Sequence, residues 1–336
     1  MKRPQPQRVL VIRLGAIGDV TNALVIADAI KLGWPEAQVG WAVHPLSAPL
    51  VQDHPCVDRV HLWERGGLVQ TCRSGRRLAA ELRAERYELV IDLSRIAKSA
   101  LLARASGAPW ILGYDRKRAK EGSWMLHNDR IAPGHQRTHM LEQVLEFAGH
   151  LGLPADQARR RLPHDPDAER WATQQVGAFE SAPLLVHIGA SKPENRWPAQ
   201  HHGVLARHLA EHYPAVCLTG GPDVLESGQL ARAEAGNRVH DLVGATNLRQ
   251  FAALASRSRL FVGCDTGPMH LAAATGCPVV ALFGPADPLR TGPYGPGHTI
   301  LRQPSAGLNR QVPLPPAHMV DLAPEWVATA CIENLS

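Results

Sequence analysis

Three short segments carry residues whose types and spacing could do chemistry. The first is Gly15-Ala16-Ile17-Gly18-Asp19. Two glycines permit a tight turn close to a ligand, and Asp19 follows where a helical apolar pattern begins. Its carboxylate reads two ways, as a helix cap or as a base that takes a proton from a hydroxyl. The two roles are compatible, because an ionised, capped carboxylate can still accept a proton. The second segment is Val262-Gly263-Cys264-Asp265-Thr266-Gly267-Pro268-Met269-His270. A strand pattern runs into Asp265-Thr266-Gly267, and Pro268 suits the first turn of a helix. Amides at that helix start, with the Thr266 hydroxyl, would make an anion site suited to a diphosphate. An Asp/Thr cap above a core His270 explains the same residues. The third is His187-Ile188-Gly189-Ala190-Ser191-Lys192-Pro193-Glu194-Asn195-Arg196-Trp197-Pro198. Here a strand end opens into a loop with one hydroxyl, Ser191, and two cations, Lys192 and Arg196. That suits a phosphate; a solvated loop pinned to the core by Trp197 is the plainer reading.

Two further strand-end glycine loops, Thr219-Gly220-Gly221-Pro222-Asp223 and Phe283-Gly284-Pro285-Ala286-Asp287-Pro288, could approach a nucleotide or be simple turns. Asp165-Pro166-Asp167 mimics the metal-binding Asp-x-Asp of some transferases but falls in a linker-like stretch. The seventeen histidines include no metal-ligand spacing such as His-Glu-x-x-His.

The elements that must position these segments alternate. Arg8–Leu14 reads as a buried strand, followed by the glycine loop and a helix over Val20–Ile30, the opening of a Rossmann-like unit. Strands are expected at 39–43, 59–62, 89–93 and 110–114, with helices at 75–85 and 97–105. Composition shifts between Leu153 and Asp167, which is Pro-rich, charged and poor in large apolar residues. The pattern then restarts, with strands at 184–188, 216–219, 260–263 and 279–283. Helices are expected at 200–212, 223–235, 248–256 and 268–274, and a last one at 323–335 behind a Pro-rich stretch. Two doubly wound α/β domains are therefore expected, 1–160 and 161–336. The final helix could pack back on the first. Ligands in such chains bind in the cleft between domains.

Composition removes other classes. The 336 residues hold 36 Lys plus Arg against 31 Asp plus Glu, a formal net charge of +5, with 45% hydrophobic residues. These are globular values, not those of a disordered, collagenous or coiled-coil chain. The basic runs Arg76-Arg77, Arg116-Lys117-Arg118 and Arg159-Arg160-Arg161 accompany no nucleic-acid recognition motif. Six scattered cysteines without a Cys-x-x-Cys pair read as core hydrophobes in a reducing compartment. The basic N-terminus precedes too short and charged a run for a signal peptide, and no stretch reaches membrane-spanning length. A cytoplasmic protein is expected, with at most peripheral contact with the inner membrane. No Walker loop, Gly-x-Ser-x-Gly elbow or Gly-x-Gly-x-x-Gly fingerprint occurs, which argues against P-loop, hydrolase and nicotinamide chemistry.

Taken together, the opening strand with Gly-x-x-Gly-Asp-Val, then His-x-Gly-Ala-Ser with Arg-Trp-Pro, then Asp265 to Pro288 resemble the ADP-heptose:lipopolysaccharide heptosyltransferases, glycosyltransferase family 9. The resemblance runs from Arg8 to Leu301. It implies the GT-B fold, two Rossmann-like domains facing across a cleft, with the acceptor on the first and the nucleotide sugar on the second. It also implies an inverting transfer of heptose without metal or other cofactor. Asp19 matches the catalytic base. Ser191, Lys192, Arg196, Asp265, Thr266, Gly267 and His270 fall on the donor side. Gly18, Lys98 and Lys120 fall on the side of an anionic glycolipid acceptor, in a region that also carries Arg95 and Arg116 to Arg118. Many members have Lys two residues before the tryptophan of the Trp-Pro pair. Here that position is Asn195, so Lys192 or Arg196 would supply the cation. The residues themselves also allow a GT-B transferase of another nucleotide sugar, or a non-catalytic nucleotide-sugar binder.

Overall fold

A computed structural model describes residues 4–64, 66–303 and 317–335. Residues 304–316, most of the Pro-rich stretch, lie outside them, as does the Cys72 side chain. The chain divides into two compact units, 1–164 and 165–336.

In the first unit the order is β1 (Arg8–Ile12), α1 (Ile17–Gly33), β2 (Gln38–Val43), β3 (Arg59–Leu62), α2 (Leu68–Ala84), β4 (Leu89–Asp92), α3 (Ala97–Ala105), β5 (Trp110–Gly113), β6 (Asp129–Arg130) and α4 (Met140–His150). All strand pairs are parallel, in the order β3-β2-β1-β4-β5-β6. Parallel central strands are covered on both faces, so they read as continuous apolar runs. Val9, Leu10, Val11 and Ile12 of β1 are fully buried. α1 is buried nearly all round because α4 packs over it. Its buried Asp28 accepts hydrogen bonds from the Arg161 guanidinium at 2.6 Å and the Arg159 amide at 2.7 Å. Part of the basic run at 159–161 thus ties the end of this unit to its first helix.

The second unit holds α5 (Pro166–Gly177), β7 (Leu184–His187), α6 (Ala199–His212), β8 (Val216–Gly220), α7 (Leu225–Ala235), β9 (His240–Val243), α8 (Leu248–Ala255), β10 (Leu260–Cys264), α9 (Gly267–Ala274), β11 (Val279–Phe283), α10 (Pro288–Thr291), β12 (His298–Arg302) and α11 (Pro324–Glu333). Its strands are also parallel, in the order β12-β11-β10-β7-β8-β9. Counted from β7, this repeats the first sheet's order. Both sheets have the Rossmann arrangement, in which strand order reverses beside the first strand.

Several details differ from expectation. The linker-like stretch turns helical at Pro166: Asp165 caps α5, accepting from the amides of Asp167 and Ala168 at 3.0 Å. Within the second unit, α11 joins the core and packs against α6. Arg118, grouped by sequence with the acceptor-side basic residues, is buried. It is held by Asp115 and Glu146, each at 2.5 Å, and by the Ala132 carbonyl at 2.8 Å.

Candidate functional site

In open parallel sheets, ligands gather at the strands' carboxyl ends, where the order reverses. In the first unit that point lies between β1 and β4, which pair from Val9↔Leu89 to Ile12↔Asp92. The loop after β1 delivers Gly18 and Asp19. The N-cap of α1 is Ala16, with no side-chain cap bond, and Asp19 stands in the helix's first turn. The cap reading is thereby removed. The Asp19 carboxylate pairs instead with the Arg13 guanidinium at 2.5 Å. Arg13 comes from the end of β1, and its Nη1 also donates to the Leu93 carbonyl. Gly18 is buried in the same turn.

The loop after β4 is built on Asp92. This fully buried carboxylate accepts from the Ser94 amide at 2.9 Å and the Ser99 hydroxyl at 2.9 Å, and lies 3.0 Å from His127 Nε2. The loop it shapes carries Arg95, whose guanidinium lies 5.5 Å from the Tyr114 ring centroid. The Arg95 carbonyl accepts from the Lys120 amide at 2.7 Å, bringing the Lys98 and Lys120 segments together. Both lysines are exposed. Lys98 occupies the first turn of α3, where no acidic residue stands. The anion at this helix start is the Glu121 carboxylate, which accepts from the Ala97 amide at 3.1 Å. Tyr114 is fully buried, and its hydroxyl has no hydrogen-bond partner among the described residues. Burial pushes its pKa up, against the pull of Arg13, Arg95 and Arg118.

In the second unit the reversal lies between β7 and β10, paired through His187↔Gly263. The two sequence segments, some 75 residues apart, emerge there side by side. After β7, Gly189 takes φ of +103°, a left-handed value suited to glycine. Ser191, Lys192 and Arg196 follow, all exposed. Arg196 is partly spent on its own loop, donating from Nε to the Ala190 carbonyl at 3.0 Å. Lys192 has no ion-pair partner among the described residues. Asn195 is only 5% exposed, so the side chain two residues before Trp197 is turned inward. Trp197 anchors the loop, donating from Nε1 to the Leu322 carbonyl at 3.0 Å. The plainer sequence reading, a loop pinned by tryptophan, is therefore also true.

After β10, Thr266 is the N-cap of α9 yet makes no cap bond, and its Oγ1 is buried without a partner among the described residues. The adjoining Gly267 amide and the Met269 amide lie in the helix's unsatisfied first turn, whereas Pro268 has no N–H. Asp265 is held by the Thr291 hydroxyl, which donates to Oδ2 at 3.2 Å. His270 is buried, its Nε2 3.7 Å from Asp265 Oδ1. The Asp287 turn is thus more than a plain turn: Asp287 caps α10, which presents Thr291 to Asp265. Burial pushes the Cys264 thiol up to about 12, which removes it as a nucleophile. Beneath this edge His187 and His202 are buried neutral, their pKa values pushed down to about 3 and about 4, mainly by desolvation.

Sequence reading passed over Arg13, Tyr114 and Thr291 as site residues. Arg13 left one signal, a charge in an otherwise apolar strand six residues before Asp19.

Residues 75–317 match the model of glycosyltransferase family 9 (heptosyltransferase). Lipopolysaccharide heptosyltransferase 1 of Pseudomonas aeruginosa is 32% identical over 298 residues, covering 86% of this chain and 81% of the relative. The lipopolysaccharide core heptosyltransferase OpsX of Haemophilus influenzae is 26% identical over 291 residues, covering 86% and 82%. Among solved structures, Escherichia coli heptosyltransferase WaaC with ADP superposes with a TM-score of 0.77 at 24% identity, over 97% of this chain and 99% of that one. The chain belongs to glycosyltransferase family 9, the heptosyltransferases.

Proposed function

We propose that the enzyme moves heptose from ADP-heptose to a hydroxyl of an anionic lipopolysaccharide-core acceptor, with inversion at the anomeric carbon and without a metal. Asp19 takes the proton from the acceptor hydroxyl as that oxygen attacks. Arg13 holds the Asp19 carboxylate by one edge. The sugar passes through an oxocarbenium-like state. Negative charge developing on the departing ADP is met by the Thr266 hydroxyl, the first amides of α9, Ser191 and Lys192. Lys98 and Lys120 supply charge for the acceptor. The curated relatives' names support the lipopolysaccharide acceptor, and the ADP bound in the Escherichia coli neighbour supports the nucleotide.

The observation that carries the donor half is the Thr266 hydroxyl, buried at a helix start with no partner among the described residues. An orphan of this kind costs about 1–3 kcal/mol unless a ligand satisfies it. Calorimetric titration with ADP, UDP, GDP and NAD in EDTA tests the reading. Selective ADP binding is expected. Preference for UDP or GDP would leave a GT-B transferase of another nucleotide sugar, and NAD binding alone would contradict the site.

A further inference from the structure

The strand ends of the first unit hold two buried polar groups that the protein leaves unpaired. The register joins Ile12 to Asp92 and Ile91 to Leu112. One residue further along each strand, Arg13, Leu93 and Tyr114 fall in one row across β1, β4 and β5, with side chains on one face of the sheet. Arg13 leans along that row, since its Nη1 donates to the Leu93 carbonyl. The Tyr114 ring meets Phe147 edge-on at 4.8 Å between centroids, and the Arg95 and Arg118 guanidiniums lie 5.5 and 5.6 Å from its centroid. Ring contacts alone therefore hold Tyr114 in place. Its hydroxyl and Arg13 Nε are both buried, and neither has a hydrogen-bond partner among the described residues. Of the charges that act on the phenol, that of Arg13 is felt most, although Arg95 and Arg118 lie against the ring. The hydroxyl end therefore faces Arg13. The Asp19 charge is felt there too.

We infer that Tyr114 is a positioning residue for the transfer: through one internal water shared with Arg13 Nε, its hydroxyl fixes the guanidinium that holds Asp19. The inference rests on the reading of Asp19 as the base. The phenol O–H and the Nε–H both donate. A water that accepts from the two keeps its own hydrogens for the Asp19 carboxylate. It then has three polar partners, the usual number for a buried water. A fully buried phenol touches no substrate, so it acts only through what it holds. A polar atom left unsatisfied in the interior costs stability, and phenylalanine would make the same ring contacts. The hydroxyl therefore has its use beside Arg13 and not in packing.

Steady-state kinetics of Tyr114→Phe, alone and combined with Arg13→Met, tests it. The single variant should lower kcat about fivefold, the worth of one hydrogen bond, with the donor KM and ADP affinity unchanged. Its thermal midpoint should hardly move, because the ring contacts remain. Since the hydroxyl acts through Arg13, its removal should cost nothing more in the Arg13→Met chain. A structural role would instead add its loss to that of Arg13→Met. Equal kcat for the parent and Tyr114→Phe, losses that add in the double variant, or a loss confined to the donor KM overturns the inference. Asp19→Asn run beside them separates the two readings. If that variant turns over like the parent, the base assignment fails and the inference with it. If it is nearly inactive while Tyr114→Phe matches the parent, only the role of Tyr114 falls.

Discussion

Arg13 and Asp19 meet at 2.5 Å, the guanidinium 7% exposed and the carboxylate 38% exposed. The buried partner comes from the end of a strand, and the exposed one from the first turn of the helix that follows. One side of the carboxylate is therefore held by the protein while the other remains open to a hydroxyl. This is the geometry expected of a base that must be oriented yet accessible.

Asp19→Asn keeps the size of the side chain and removes its basicity. Transfer should fall by about 10²–10⁴, the usual contribution of a general base, with ADP affinity unchanged. Steady-state kinetics beside titration with ADP checks this.

Arg13 pairs with Asp19, so under the proposed mechanism its loss should appear in kcat and not in the donor KM. Arg13→Met should lower kcat by about tenfold or more, and Arg13→Lys should recover part of it. A change confined to the donor KM would exclude a positioning role.

Thr266→Val removes a hydroxyl that has no partner among the described residues and keeps its shape. ADP affinity should fall by about tenfold, the worth of one good hydrogen bond. Thermal stability should stay equal or rise, because no buried orphan remains. A structural cap would behave in the opposite way, losing stability and keeping affinity.

Lys192 is the cation left available on the loop after β7, since Arg196 also bonds to Ala190 and Asn195 is turned inward. Lys192→Met should weaken ADP binding more than Arg196→Met and should flatten its salt dependence. Asn195→Lys should destabilise the fold, because it places an ammonium where little water reaches. Titrations at two ionic strengths, with a thermal melt of each variant, decide this.

His187 and His202 are buried with pKa values near 3 and 4, below the ordinary histidine value near 6.5. Between those values the unfolded chain binds protons that the folded chain refuses. Stability should therefore fall as pH drops from about 6.5 towards 4, by up to about 1.4 kcal/mol per pH unit for each histidine. Urea unfolding at pH 7 and pH 5 measures it, and His202→Asn should lessen the slope.

Much of this organisation is legible in the residues. The strands at 59–62 and 279–283 and the helix at 97–105 stand where hydrophobic pattern places them. Asp19, Ser191 and Thr266 all stand just beyond strand ends where the sheet order reverses. The helix at 166–177 was hidden because its Pro, Asp and Arg content resembles a linker, although Asp165 and Pro166 form an ordinary helix start. Partnerships between distant segments were hidden too. Nothing local distinguishes Arg118, locked between Asp115 and Glu146, from the exposed Arg116 beside it. Thr291 reaches Asp265 only once the sheet is assembled.

Transfer by the purified protein from ADP-heptose to heptose-deficient lipopolysaccharide, in EDTA, tests the central claim most directly when parent and Asp19→Asn are run together. The parent should give a heptosylated product with the anomeric configuration inverted from the donor, and the variant should bind ADP but yield almost none. Retained configuration, a requirement for added metal, or equal turnover by the variant would contradict the account.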